Sequence, residues 1–122
     1  MRQTIEIPEV MPGLNGSDGL INENRWNKKK RQDRCFGLIK AQKPRKHEGK
    51  VIIEYTRASV IAPDWDNLSA SFKHWGDALV KAGVIQDDKP TVVLNFYPKW
   101  EKAKNHKSAK TIIKIMDIDD VA

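Results

Sequence analysis

Asp64-Trp65-Asp66-Asn67-Leu68-Ser69-Ala70-Ser71-Phe72-Lys73-His74-Trp75-Gly76-Asp77-Ala78-Leu79-Val80-Lys81-Ala82-Gly83 is the stretch on which the fold turns. Leu68, Phe72, Trp75, Leu79 and Ala82 recur at steps of four and three, which puts one apolar stripe on a helix of roughly four turns. The spacing predicts a helix over Asn67 to Ala82, stopped by Gly83. On its N-terminal side Val51, Ile53 and Tyr55 alternate with Ile52, Glu54 and Thr56; on its C-terminal side Val92, Leu94 and Phe96 alternate with Val93, Asn95 and Tyr97. Both patterns read as strands. Farther out, Thr4 to Ile7 reads as a short strand ended by Pro8, and Thr111 to Ile118 as another, with Ile113 and Ile115 on one face. Asn24 to Ala41 lacks proline and carries a ragged apolar face of Trp26, Cys35, Phe36, Leu38 and Ile39, which predicts a second helix. Turn residues crowd Pro12 to Gly19 and Lys43 to Gly49, and Lys99 to Lys110 reads as a basic loop. The order is strand, helix, strand, helix, strand, strand: a single α/β (α+β) domain over residues 1–122, with a small mixed sheet.

Composition bounds the function. A chain of 122 residues supports one core, and its 39% hydrophobic and 31% charged residues are those of a globular domain. No apolar run approaches the roughly 20 residues of a membrane span. A lone cysteine, Cys35, forms neither an internal disulfide nor a cysteine-based zinc site, and no charged-then-apolar leader follows Met1, so the cytoplasm is the expected address. Lys and Arg outnumber Asp and Glu 22 to 16, a net charge of +6 that favours an acidic partner such as nucleic acid. The densest positive region holds Arg25, Lys28, Lys29, Lys30, Arg31 and Arg34, continuing through Lys40, Lys43, Arg45 and Lys46 to Lys50. A second lies at Lys99, Lys102, Lys104, Lys107 and Lys110. Each run is a solvated face or a phosphate-binding surface.

Two carboxylates placed two residues apart either face water or share a cation, because like charges within about 6 Å raise each other's pKa. Asp64 and Asp66 precede the long helix, Asp87 and Asp88 follow it, and Lys73 stands seven residues after Asp66, on the same helical side about 10 Å further along. Each has a plain structural reading: Asp66 as the helix N-cap, Asp64 as the start of a turn, Asp87 and Asp88 as an exposed turn, and Lys73 paired with Asp77.

Taken together, Asp64-Trp65-Asp66-Asn67-Leu68, then Asp77-Ala78-Leu79, Ala82-Gly83 and Asp87-Asp88, resemble the signature of the RusA family of Holliday junction resolvases, found on phages, prophages and bacterial chromosomes. The motif spans about a quarter of the chain, and the order of elements elsewhere is compatible with that family. The resemblance implies that Asp64, Asp66 and Asp88 are catalytic, metal-binding carboxylates, with Asp87 an accessory neighbour. It also implies a catalytic lysine. Family members often carry it at the position of Ala70, four residues after the second aspartate, and the helix here is longer, so the role passes to Lys73.

The implied activity is a crossover junction endodeoxyribonuclease that resolves four-way DNA junctions in recombination, repair or phage DNA processing. Mg²⁺ suits three aspartates, being a hard cation that prefers oxygen donors, and Mn²⁺ is a possible substitute. Such a metal ionises water, neutralises an anionic transition state and stabilises a leaving alkoxide. Paired nicking of a twofold-symmetric substrate implies a homodimer, in a bacterial or phage-infected cell. Arg25, Lys28, Lys29, Lys30, Arg31, Arg34, Lys102, Lys104 and Lys107 then contact backbone phosphates. Two alternatives remain: a non-catalytic basic DNA-binding module, and a phage-encoded regulator that binds a protein through its basic helix. Trp26 reads as packing, with stacking on an unpaired base as the alternative. Trp65, Trp75 and Trp100 read as core or rim packing. His47, His74 and His106 match no zinc spacing, and Asp117, Asp119 and Asp120 read as a solvated acidic tail.

Overall fold

The computed structural model describes residues 1–13 and 19–120. Alternation sorts the side chains of four strands onto two faces: β1 (Arg2–Ile7), β2 (Val51–Ser59), β3 (Val93–Lys102) and β4 (Lys110–Asp117). They form one mixed sheet in the order β1-β4-β2-β3, with β1/β4 and β4/β2 antiparallel and β2/β3 parallel. Helices α1 (Arg25–Ala41), α2 (Trp65–Ala70) and α3 (Lys73–Lys81) cover one face, giving a two-layer α+β domain. The register brings Ile5, Ile113 and Tyr55 into line across the sheet, with Ile53 beside Ile115. Their side chains are buried against Cys35 and Ile39 of α1, Leu68 of α2, and Trp75 and Leu79 of α3. Each such burial contributes about 2 kcal/mol. The opposite face carries Arg2, Thr4, Glu6, Tyr97, Lys99 and Glu101 in water. Ion pairs lie there between Lys110 and Glu6 at 2.8 Å and between Lys99 and Glu54 at 3.1 Å. No helix among the described residues is long and apolar enough to cross a membrane.

Three local readings change. The single helix over Asn67 to Ala82 is divided at Ser71 and Phe72. The Ser71 hydroxyl donates to the Leu68 carbonyl at 2.7 Å, the acceptor that a continuous helix reserves for the Phe72 N–H. That N–H turns instead to Ser69 at 3.2 Å, tightening the turn before α3 resumes with Gly76 N bonded to Phe72 O at 2.8 Å. Because the one Ser71 proton goes to Leu68, the buried Tyr55 hydroxyl is the donor in its 2.6 Å contact with Ser71 Oγ. Ser71→Ala is expected to cost about 1–2 kcal/mol, since Tyr55 loses its buried acceptor; the shift of the urea midpoint at unchanged slope measures it.

The basic loop from Lys99 to Lys110 is half strand. β3 continues through Pro98 to Lys102, because an edge strand has a free side on which proline's missing N–H costs nothing. Asp117 belongs to no solvated tail. It ends the inner strand β4, where its carboxylate meets the Met1 ammonium at 2.8 Å and His47 Nδ1 at 2.7 Å; these partners hold its carboxyl below the usual range.

The ends of α1 and α3 follow capping rules. Asn24 Oδ1 accepts from Asn27 N at 2.8 Å at the start of α1. At the end of α3, Gly83 adopts φ +75°, with Gly83 N bonded to Val80 O at 3.0 Å and Val84 N to Leu79 O at 2.9 Å. This Schellman arrangement turns the chain back toward the sheet and buries Val84.

Candidate functional site

The chain leaves β2 at Ser59 and enters α2 through Asp64. Asp64, not Asp66, is the N-cap: its Oδ1 accepts from Asn67 N at 2.9 Å and from Asn67 Nδ2 at 3.0 Å. Helical residue Asp66 stands in the first turn, exposed, and among the described residues its carboxylate has no hydrogen-bond or ion-pair partner. One turn later Ser69 and Ala70 open onto a cleft of about 590 Å³ between the α2–α3 helix pair and edge strand β3. Phe72, Phe96, Ile53 and Val93 make its apolar lining, while Lys73 and Asp88 are its charged groups. Ala70, the position at which RusA resolvases often carry lysine, and Lys73 therefore border the same space.

Around the cleft the carboxylates are unevenly engaged. Lys73 Nζ lies 3.3 Å from Asp77 Oδ1, the (i, i+4) pair read from the sequence, in an exposed geometry that contributes little stability. Asp87 Oδ1 accepts from Asp88 N at 2.8 Å; this bond and the nearby Lys89 hold the Asp87 carboxyl below its usual range. Asp88 is exposed at the cleft. Among the described residues no three His, Cys, Asp or Glu side chains are grouped to hold a metal ion, so Asp64, Asp66 and Asp88 are not assembled around one point within the chain. Their chemistry nonetheless suits a hard cation: all are carboxylates, and Asp66 and Asp88 face water.

Supports behind the site escaped the sequence reading because each joins residues distant in the chain. Arg57 of β2 donates to the Met11 carbonyl, fastening the segment Met11–Gly13 beside α2. Gly13 then presses on Asn67: a Cβ built there would lie 2.7 Å from Asn67 Oδ1 and 2.8 Å from Asn67 O. Gly13→Ala is therefore expected to destabilise the protein by about 1–3 kcal/mol, read as a lower thermal midpoint. Leu20 N bonds to Gly13 O at 2.8 Å, and Leu20 lines the cleft. The next turn is pinned by Glu23, whose Oε2 lies 2.6 Å from Arg31 Nη1 and 3.0 Å from His74 Nε2. His74 is buried on α3 beside Lys73, so its contact with Glu23 clamps the helix that supplies one wall of the cleft.

The basic surface is smaller than its residue count. Arg31 serves Glu23, and Arg34 forms a two-pronged pair with Glu9. Arg25, Lys28, Lys29 and Lys30 are exposed on α1, with Lys29 3.9 Å from Asp33 and Lys30 over the Trp26 ring at 5.1 Å. Lys102, Lys104 and Lys107 are exposed at the end of β3 and the following turn. Two aromatic readings change as well. Trp26 is 66% and Trp65 72% exposed, so neither packs, whereas Trp75 is fully buried and Trp100 is half-buried, its Nε1 donating to Ser59 Oγ at 3.1 Å. An isolated tryptophan in sequence does not reveal whether another element covers it.

Other reactive residues are committed to structure. Gln3 is locked by two bonds to the Arg45 backbone, so its Nε2 donates to His47 Nε2 at 2.7 Å while His47 Nδ1 donates to Asp117. Both nitrogens of this buried ring are occupied. Cys35 is fully buried, and burial pushes its thiol up to about 12, far from nucleophilic use.

A scan against protein-family models matches none, and no curated protein matches the chain. The likeness to RusA therefore rests on the quoted residues.

Proposed function

We propose that this protein is a structure-selective DNA endonuclease similar to the RusA resolvases, cutting four-way junctions as a homodimer with Mg²⁺ or Mn²⁺. One observation carries the reading: Lys73 and Asp88, from separate parts of the motif, border one cleft a single helical turn from Asp66, a carboxylate with no partner among the described residues. Asp64, Asp66 and Asp88, with Asp87 beside them, are the residues that would hold the metal. When bound, the metal would supply Lewis acidity to the scissile phosphate and to water. Lys73, moving from Asp77, offsets charge on that phosphate. Arg25, Lys28, Lys29 and Lys30 of α1, with Lys102, Lys104 and Lys107, hold backbone phosphates by charge and position the junction.

A second reading, a non-catalytic basic DNA-binding module, is favoured by the capping bonds of Asp64 and the Lys73–Asp77 pair. Incubation with a mobile four-way junction and a matched linear duplex, with and without Mg²⁺, separates the two. The nuclease predicts Mg²⁺-dependent paired nicks in the junction only. Salt-sensitive binding without cutting sustains the module.

A further inference from the structure

The cleft is more apolar than charge-driven phosphate binding requires. Its floor is an aromatic cluster in which Phe72 and Phe96 have centroids 4.9 Å apart and Tyr55 supports them from below, 5.0 Å from Phe72 and 6.2 Å from Phe96. Tyr55 is fully buried, whereas Phe72 and Phe96 are only half-buried and line the opening. Gly76 lets the Phe72 ring lie against α3: a Cβ there would meet that ring at 3.2 Å. At about 590 Å³ the space is of ligand size, and its few polar groups are of distinct kinds: the Lys73 cation, the Asp88 carboxylate and the Ser69 hydroxyl.

These features match one chemistry. The half-buried rings of Phe72 and Phe96, tilted 35° to each other, offer any base an aromatic surface to stack on, an ammonium at the wall meets a phosphate, and a carboxylate accepts from an exocyclic amine or a sugar hydroxyl. The exposed cations of α1, the helix packed against α3, add charge that draws a polyanion to the protein. We propose that the cleft receives one unstacked nucleotide of the bound DNA, its base against Phe72 and Phe96 and its phosphate toward Lys73. The inference rests on the junction-nuclease reading for its choice of DNA. It adds what that reading leaves open: a branched substrate is selected because a base at the branch point leaves its stack at less cost than one inside a duplex.

The test measures affinity rather than cutting. Junctions carrying a single abasic site at each position around the branch are titrated in EDTA with the wild-type chain, Phe96→Ala and Ser69→Trp. Ser69 is exposed, so the tryptophan fills the cleft without disturbing the core, and unfolding midpoints verify that both variants fold. One abasic position is expected to weaken wild-type binding about tenfold, within the range set by loss of a stacked base. Ser69→Trp should lose a similar factor on the intact junction and nothing further on that abasic one. If no abasic position weakens binding, or if Ser69→Trp loses as much on the abasic junctions as on the intact one, the nucleotide site is overturned. Wild-type cutting of the intact junction in Mg²⁺ is scored separately. Cutting without coupling removes this inference and leaves the nuclease; coupling without cutting does the reverse; no DNA binding removes both.

Discussion

Asp66→Asn is expected to abolish Mg²⁺-dependent junction cutting while leaving the fold and junction binding in place. The loss should exceed the roughly 10–100-fold that outer-sphere substitutions cost, because on the proposed reading a direct oxygen ligand would change from charged to neutral. Structure makes the variant clean. Asp66 is exposed, spends no oxygen on capping and has no partner among the described residues, so its charge is not needed by its surroundings. Removing a negative charge near a polyanion should leave binding equal or tighter. Asp64→Asn is a matched companion: asparagine caps as well as aspartate, so the bonds to Asn67 persist while the charge is lost. Mg²⁺ should raise the thermal midpoint of the wild type, and Asp66→Asn should lack that shift, a readout independent of cutting. Near-normal nicking by Asp66→Asn would overturn the catalytic assignment.

Glu23→Ala is expected to produce the largest stability loss, about 3 kcal/mol, by leaving the buried His74 Nε2 without its hydrogen-bond partner and Arg31 with one carboxylate fewer. The Glu23 side chain is 3% exposed and that of His74 2%, so water cannot replace the lost carboxylate. Burial pushes the Glu23 carboxyl up, but the hydrogen bonds and charges of Arg31 and His74 outweigh it and hold the group below its ordinary 4.5. A depressed carboxyl stabilises the fold fully above that ordinary value, and the contribution disappears as pH falls through the lower folded value. The wild type should therefore lose stability on acidification below about pH 4.5. Glu23→Gln, which keeps the volume and one acceptor, should be less destabilised than Glu23→Ala and show a flatter acid limb in denaturant titrations. An acid limb identical to the wild type's would assign the loss to other carboxyls.

The clamp also connects stability to the site. Glu23 ties the turn after Leu20 to α3, and Leu20 and Lys73 border the same cleft. Loosening the clamp by Glu23→Gln should thus affect junction affinity more than a surface change of equal charge, such as Glu101→Gln on the open face of the sheet.

What the sequence determined by itself was the set of local periodicities. Steps of three and four from Leu68 to Ala82 specify a buried helical stripe, and alternation in β1, β2, β3 and β4 specifies which side chains enter the core, because both patterns arise from the geometry of neighbouring residues. Asp64, Asp66, Lys73 and Asp88 were legible as candidates through their spacing and the resemblance it carries. Tertiary structure decided the rest. Ser71 at the helix division meets Tyr55 of another element, and Arg31 and Arg34 were drawn to Glu23 and Glu9. Sheet order, the burial of His47 and His74 and the exposure of Trp65 likewise depend on which segments pack together. A hydrogen bond or ion pair needs a partner at about 3 Å, and where that partner stands far along the chain, as for Arg34 and Glu9 or His74 and Glu23, it is the folded surface that brings the two together.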